Sequence, residues 1–132
     1  MRITKRLMVL DAADTEAEAV FWAAVLDGEA VLAAEDGPFA GWYDVVVDGR
    51  IELGVQPTPD HVPPTWKSAV PAAQRQQIHP DLYVAHEDAP AAVQELLELG
   101  ARMLEEAEDP SAPASGRVLA DPAGHPFCLC WE

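Results

Sequence analysis

Residues 78–107 read IHPDLYVAHEDAPAAVQELLELGARMLEEA, and their pattern decides the fold. The run 78–85, rich in Ile, Leu, Tyr and Val, predicts a strand. Asp88 stands where a helix N-cap is wanted. Pro90 follows in the first turn, where a missing N–H costs nothing. Val93, Leu96 and Leu97 recur at helical spacing, and Gly100 ends the helix. Residues 102–107 return to strand. After a polar loop at 108–115, two more strands are expected at 116–120 and 126–131, joined through Asp121-Pro122-Ala123-Gly124. The order is β-α-β-β-β.

The first half spells the same order. Residues 3–10 predict a strand. Thr15, with Glu18 three positions on, predicts a capping box. It opens a helix that presents Val20, Phe21, Ala24, Val25 and the pair Trp22/Leu26, with Gly28 as its stop. Residues 29–35 and 42–47 predict strands on either side of an Asp36-Gly37-Pro38 turn. Asp48-Gly49 is a strong hairpin signal. Residues 50–56 then alternate Ile51, Leu53 and Val55 against Glu52, Gly54 and Gln56. A shift of 73 residues lays Ala19-Val20 on Ala92-Val93 and Leu26 on Leu99. Pro57, Pro59, Pro63, Pro64 and Pro71 mark the stretch between the halves as a connector. The expectation is an α+β single domain over 1–132: module 1 at 1–56, a Pro-rich linker at 57–77 and module 2 at 78–132,.

Composition narrows the function. With 23 Asp+Glu against 8 Lys+Arg, the chain of 132 residues carries −15 at pH 7. That argues against nucleic acid and anionic membranes as partners, which need a basic stripe. A hydrophobic content of 49% is too high for a disordered acidic tail,. No apolar run approaches the roughly 20 residues that span a bilayer. The apolar start after the basic N-terminus is too short for a signal-peptide core. Cys128 and Cys130 would share a strand face about 7 Å apart, too far for an easy mutual disulfide. A reducing cytoplasm is the expected location. No Gly-x-Gly-x-x-Gly, P-loop, Cys-x-x-Cys, His-Glu-x-x-His or Gly-x-Ser-x-Gly motif occurs,.

Period-two alternation assigns the faces. Phe127, Leu129 and Trp131, Ile51, Leu53 and Val55, Leu82 and Val84, and Leu7 and Val9 are expected under the helices. The opposite face then carries Arg6, Met8 and Leu10; Glu52, Gly54 and Gln56; His79, Asp81 and Tyr83; and Cys128, Cys130 and Glu132. Such a mixed surface suits a small-molecule cleft. Trp42 and the connector's Trp66 are candidate aromatic walls. Each residue also has a plainer role. His79 suits a hydrogen bond to Glu52 or Asp81, Arg6 and Glu52 suit an ion pair, and the cysteines suit small buried apolar groups.

The segments AVFWAAVLDGEAV (19–31), LLELGARML (96–104) and VLADPAGHPFCLCW (118–131) resemble the vicinal oxygen chelate superfamily. This group takes in glyoxalase I, bleomycin- and fosfomycin-resistance proteins and extradiol dioxygenases. The texture is closest to small bacterial glyoxalase-like domains. The resemblance implies tandem βαβββ modules forming an incomplete, cup-shaped barrel with helices outside, and a homodimer. It implies four cleft positions, on the first and last strand of each module, where metal-using members carry His or Glu. These fall on His79, Cys128, Glu52 and Arg6, with Leu7 as the neighbouring choice.

That set departs from the metal pattern. Arg6 and Leu7 cannot ligate, and Cys128 is a poor ligand for Mn²⁺, Fe²⁺ or Ni²⁺. The preferred reading is therefore a protein that holds a small organic molecule, without a catalytic metal. Glu52 and His79 would be its catalytic groups if it is an enzyme. Arg6, Gln56, Asp81, Tyr83, Trp42, Trp66 and Cys128 would be its ligand contacts. The alternative is a lyase, isomerase or dioxygenase with a divalent metal on Glu52, His79 and Asp81. A third reading, an interaction domain, would need Trp66 or Trp131 exposed.

Overall fold

The computed structural model describes residues 1–67 and 75–132. Residues 68–74 of the expected connector, Pro71 among them, lie outside the described residues. The chain divides into two compact units, Met1–His61 and Val62–Glu132. In the first, β1 (Met8–Ala12), α1 (Thr15–Val25), β2 (Glu29–Ala34), β3 (Trp42–Val47) and β4 (Arg50–Pro57) form a sheet in the order β1-β4-β3-β2. In the second, β5 (Asp81–Val84), α2 (Ala89–Glu98), β6 (Arg102–Glu105), β7 (Ser115–Ala120) and β8 (Pro126–Trp131) form a sheet in the order β5-β8-β7-β6. In both, the first strand pairs parallel with the last and the other pairs are antiparallel. The α+β reading with two tandem βαβββ modules holds. Among the described residues no helix is long and apolar enough to cross a membrane.

Helix α1 departs from the expected cap. Its N-cap is Asp14, whose carboxylate accepts the Ala17 N–H at 3.0 Å. Thr15 is already helical, and its hydroxyl donates to the Gly41 carbonyl at 2.7 Å. Glu18 closes no capping box. It is fully buried and accepts the Trp22 indole N–H at 3.0 Å. With Glu18 inside, the buried stripe runs through Ala19, Phe21, Trp22 and Ala23, and Val20 is left 54% exposed. A carboxylate can enter that stripe because the indole one turn on supplies a donor. At the other end Asp27, not Gly28, adopts the left-handed conformation (φ 54°). Gly28 is required for another reason: a Cβ there would stand 2.5 Å from the Val46 carbonyl oxygen. The hairpin at Asp48 (φ 50°) and Gly49 (φ 73°) is left-handed at both central residues, as a type I′ turn demands,.

Strand β1 begins at Met8, not at residue 3, so Arg6 precedes the sheet and is exposed. Its register on β4 runs from Met8↔Leu53 to Ala12↔Pro57 and pairs Val9 with Gly54. Partners in a ladder share a face, so Leu7 and Val9 belong with Glu52, Gly54 and Gln56. Leu10 and Ala12 turn the other way, and Ala12 is fully buried. This reverses the face expected for the first strand. The four apolar residues Leu7 to Leu10 carry no alternation to fix the phase, and a one-residue slip inverts every side chain,.

In the second unit the last strand alternates as expected. Phe127, Leu129 and Trp131 are buried, with Leu119 and Leu96. Trp131 packs with Ala89, Ala107 and Val84 and donates its indole N–H to the Ala112 carbonyl at 3.0 Å. The Arg117 guanidinium lies 5.4 Å from the Trp131 ring centroid and pairs with Glu106 at 2.8 Å. Trp131 is therefore core, which removes it as an interaction anchor. The motif at 121–127 is a turn built on Asp121, whose buried carboxylate accepts the His125 N–H at 2.7 Å. Asp88 occupies the N-cap of α2 but makes no side-chain cap bond, because a 3₁₀ turn, His86–Asp88, feeds directly into the helix. Strand β5 starts at Asp81, after Pro80, which has no N–H to give a ladder,.

Replacing Gly28 by Ala should cost about 2 kcal/mol, because the contact it creates is with backbone that cannot move aside,. Urea unfolding should show a lower midpoint with an unchanged slope.

Candidate functional site

Strand register in the second unit sets a row of side chains across one sheet face. Asp81 pairs with Cys128, Cys128 with Val118, and Val118 with Glu105. The next row holds Tyr83, Cys130 and Gly116. Asp81, Tyr83, Cys128 and Cys130 thus share a face, as the alternation predicts. Glu105 joins them from the far strand, β6. A register shift between Met103 and Glu105 brings it there, and a bulge of this kind leaves no mark in the hydrophobic pattern.

His79 lies just before β5 rather than on it. Its Nε2 is 3.4 Å from Asp81 Oδ1, and the Trp66 ring stands edge-on to it, centroids 5.1 Å apart. Trp66 donates its indole N–H to Glu105 Oε2 at 2.8 Å, and Lys67 donates to Oε1 at 2.6 Å. Lys67 also lies 5.9 Å from the Trp66 ring centroid. These two donors hold the Glu105 carboxyl below the usual carboxylate range, Lys67 having the larger effect. His79, Asp81 and Cys128 each offer one donor atom, all within 4.8 Å of one another.

The thiols on this face are neutral at ordinary pH. Burial first, then the Asp81 charge and its hydrogen bond, push Cys128 up to about 12. Burial and Asp81 raise Cys130 as well. Tyr83 is raised mainly by Cys130 and then Asp81. Cys128 is no nucleophile in this state, since thiolate is the reactive form. The face offers donors in the thiols and the phenol, and acceptors in the carboxylates. His79 beside Asp81 can hold or move a proton.

In the first unit Glu52 is exposed on β4. Gln56 donates to Asp11 at 3.3 Å. Trp42 gives its indole N–H to Asp44 at 2.8 Å. Its ring covers Gly54, where a Cβ would meet Trp42 Cζ2 at 2.6 Å and Leu7 Cδ2 at 3.0 Å. An open cavity of ≈ 550 Å³ in this unit is lined by Asp14, Thr15, Glu16, Glu35 and Tyr43, among others, and by none of the predicted site residues. The structure therefore gathers His79, Asp81, Tyr83, Trp66 and Cys128 in one group. It leaves Arg6 ahead of the first sheet and puts Leu7 on the polar face instead.

The donors do not fit a hard cation at the four positions the resemblance implies. Leu7 has no donor atom, Arg6 is a permanent cation, and Cys128 is a thiol. The trio His79, Asp81 and Cys128 mixes nitrogen, oxygen and sulfur, a set that suits a borderline ion such as Zn²⁺.

Residues 7–130 match the family model described as a glyoxalase-like domain. No curated protein sequence matches the chain. Among solved structures it is similar to the fosfomycin resistance protein FosX from Listeria monocytogenes in its hexagonal form (13% identity, TM-score 0.67, covering 100% of this chain and 95% of that one). A mutant of that protein complexed with Mn(II) and 1S,2S-dihydroxypropylphosphonic acid gives 14% identity and a TM-score of 0.68, covering 99% and 93%. The oxidase ChaP-H2 gives 18% identity and a TM-score of 0.57, covering 98% and 95%.

At pH 8 Cys128 should alkylate on the order of 10³-fold more slowly than an ordinary cysteine, its thiolate fraction being smaller by that factor. The rate should rise about tenfold per pH unit up to pH 10, since the thiol's pKa lies well above,. Asp81→Asn removes a charge and an acceptor that both favour the thiol, so it should speed the reaction. Iodoacetamide labelling followed by peptide mass spectrometry reads Cys128 separately from Cys130.

Proposed function

The chain belongs to the glyoxalase-like domain family of the vicinal oxygen chelate superfamily, and from that premise we propose that it binds a small, partly aromatic organic molecule without a catalytic metal. The observation that carries this reading is the row Asp81–Cys128–Glu105 with His79 and Trp66 against it. It offers neutral donors, carboxylate acceptors and an aromatic wall in one place, as small-molecule sites do. Trp66 and Tyr83 supply stacking surface. His79 and Asp81 supply orientation and, if the bound molecule reacts, proton transfer. Glu52, Gln56 and Trp42 belong to the first unit and form no part of this row. Arg6 has no part in the reading. Leu7 supports the metal-free form, because a side chain with no donor stands on the polar face of the first module. The reading includes a homodimer, which sedimentation measures directly.

A second reading, a divalent-metal-dependent lyase, isomerase or dioxygenase, draws on the neighbour complexed with Mn(II). Titration separates the two. Mn²⁺ or Fe²⁺ binding tighter than about 100 μM would favour the metal enzyme.

A thermal-shift screen of small aromatic acids, amines and amides, run in EDTA, should find ligands that raise the unfolding midpoint. For such a ligand Trp66→Ala and His79→Ala should each weaken binding by about tenfold or more. Binding that vanishes in EDTA and returns with Mn²⁺ would overturn the proposal.

A further inference from the structure

We propose that Asp81 receives a cationic nitrogen, an ammonium or amidinium group, on the organic molecule bound to this face, a charge assignment that rests on the binding reading above. The placing of the second unit's cations carries it. The described lysines and arginines of that unit are Lys67, Arg75, Arg102 and Arg117. Lys67 is occupied by Glu105 at 2.6 Å. Arg117 pairs with Glu106 and lies over Trp131, on the other face of the sheet. Arg102 shares the polar face, in the row of Ala120 and Pro126, but it stands on β6. That strand is three away from β5, about 14 Å at the usual spacing,. Arg75 is exposed, bridged to Thr65 in the connector. Among the described residues none of the four makes an ion pair with Asp81. The ion-pair partner of Asp81 there is the His79 imidazole at 3.4 Å, which is charged only when protonated.

The Asp81 charge is felt by its neighbours. After burial it is the next cause that raises the Cys128 and Cys130 thiols, and after Cys130 it is the next that raises the Tyr83 phenol. All three groups keep their protons and bring no positive charge. The Asp81 side chain is 42% exposed, open to a ligand. The rings around it suit a cation too. Tyr83 lies two residues on along β5, about 7 Å away on the same face, and is 61% exposed,. Trp66 stands edge-on to His79, two residues before Asp81. A carboxylate among aromatic rings holds an organic cation by a charge-assisted hydrogen bond and by the electron-rich ring faces. An anion placed there would meet Asp81 with the cations of its own sheet occupied or distant. The net charge of −15 attracts any cation diffusely,; a pairing with Asp81 is local, and substitution separates the two.

The test uses the whole chain in EDTA at pH 8 and three planar probes of one size: benzamidine, a cation; benzamide, neutral; and benzoate, an anion. Calorimetric titration should show benzamidine bound about tenfold or more tighter than benzamide, the margin of a charged hydrogen bond over a neutral one, with benzoate weakest. Sodium chloride should narrow that margin. Asp81→Asn keeps the size and shape of the side chain. It should bring benzamidine and benzamide to within about threefold of each other, while circular dichroism shows the variant folded. Glu95→Gln removes the same unit of charge from an exposed position on α2 and should leave the margin unchanged. Benzamide or benzoate bound as tightly as benzamidine, a margin kept in Asp81→Asn, or a margin lost in Glu95→Gln would each overturn the charge assignment and leave the binding reading standing. Binding of none of the three probes would overturn both.

Discussion

Parallel pairing between the first and last strand of a module governs where the polar side chains stand. Asp81↔Cys128 and Tyr83↔Cys130 are consequences of that one ladder, as Val9↔Gly54 is in the first module. A parallel pair cannot be joined by a tight turn. The chain must leave through a helix and two antiparallel strands before it returns. That excursion supplies the helix that covers the apolar face and leaves the other face to polar groups. The strand at the far end of the sheet then carries a residue of its own into the row, Glu105.

The polar face is electrically lopsided but chemically balanced. Cys130 first, then Asp81 and Glu132 raise the Tyr83 phenol, and burial first, then Asp81 and Glu105 raise Cys128. Each retained proton is a donor set among acceptors. Glu105 is the exception: Lys67 and Trp66 occupy it from two sides, which keeps it ionised and ties the connector to β6. The face thus has one anchored carboxylate and one, Asp81, shared between an imidazole and a thiol.

Much of this was legible in the chain. Both helices, the hairpin at Asp48-Gly49 and the alternation of Phe127, Leu129 and Trp131 follow from local chemistry and stand as read. Residues whose roles depend on a particular partner depart from the local reading. Glu18 looked like a capping residue because its charge hid the buried stripe that Trp22 completes. The phase of β1 was inverted because Leu7 to Leu10 are all apolar, and only the ladder to β4 chooses between the faces. His79 was placed on the strand, though Pro80 stops the ladder one residue short. Glu105 could not be placed in the row from the pattern alone, because a bulge shifts register silently,. Local signals set the elements, and pairing set the faces.

Gly54 and Trp42 illustrate how such pairing limits change. The indole ring lies where any side chain at position 54 would have to go, and Asp44 holds the ring's nitrogen. Neither residue can drift alone. A larger residue at 54 must displace the tryptophan, and a smaller one at 42 leaves bare backbone at the glycine. The two positions are one heritable unit, and related chains should change them together or not at all.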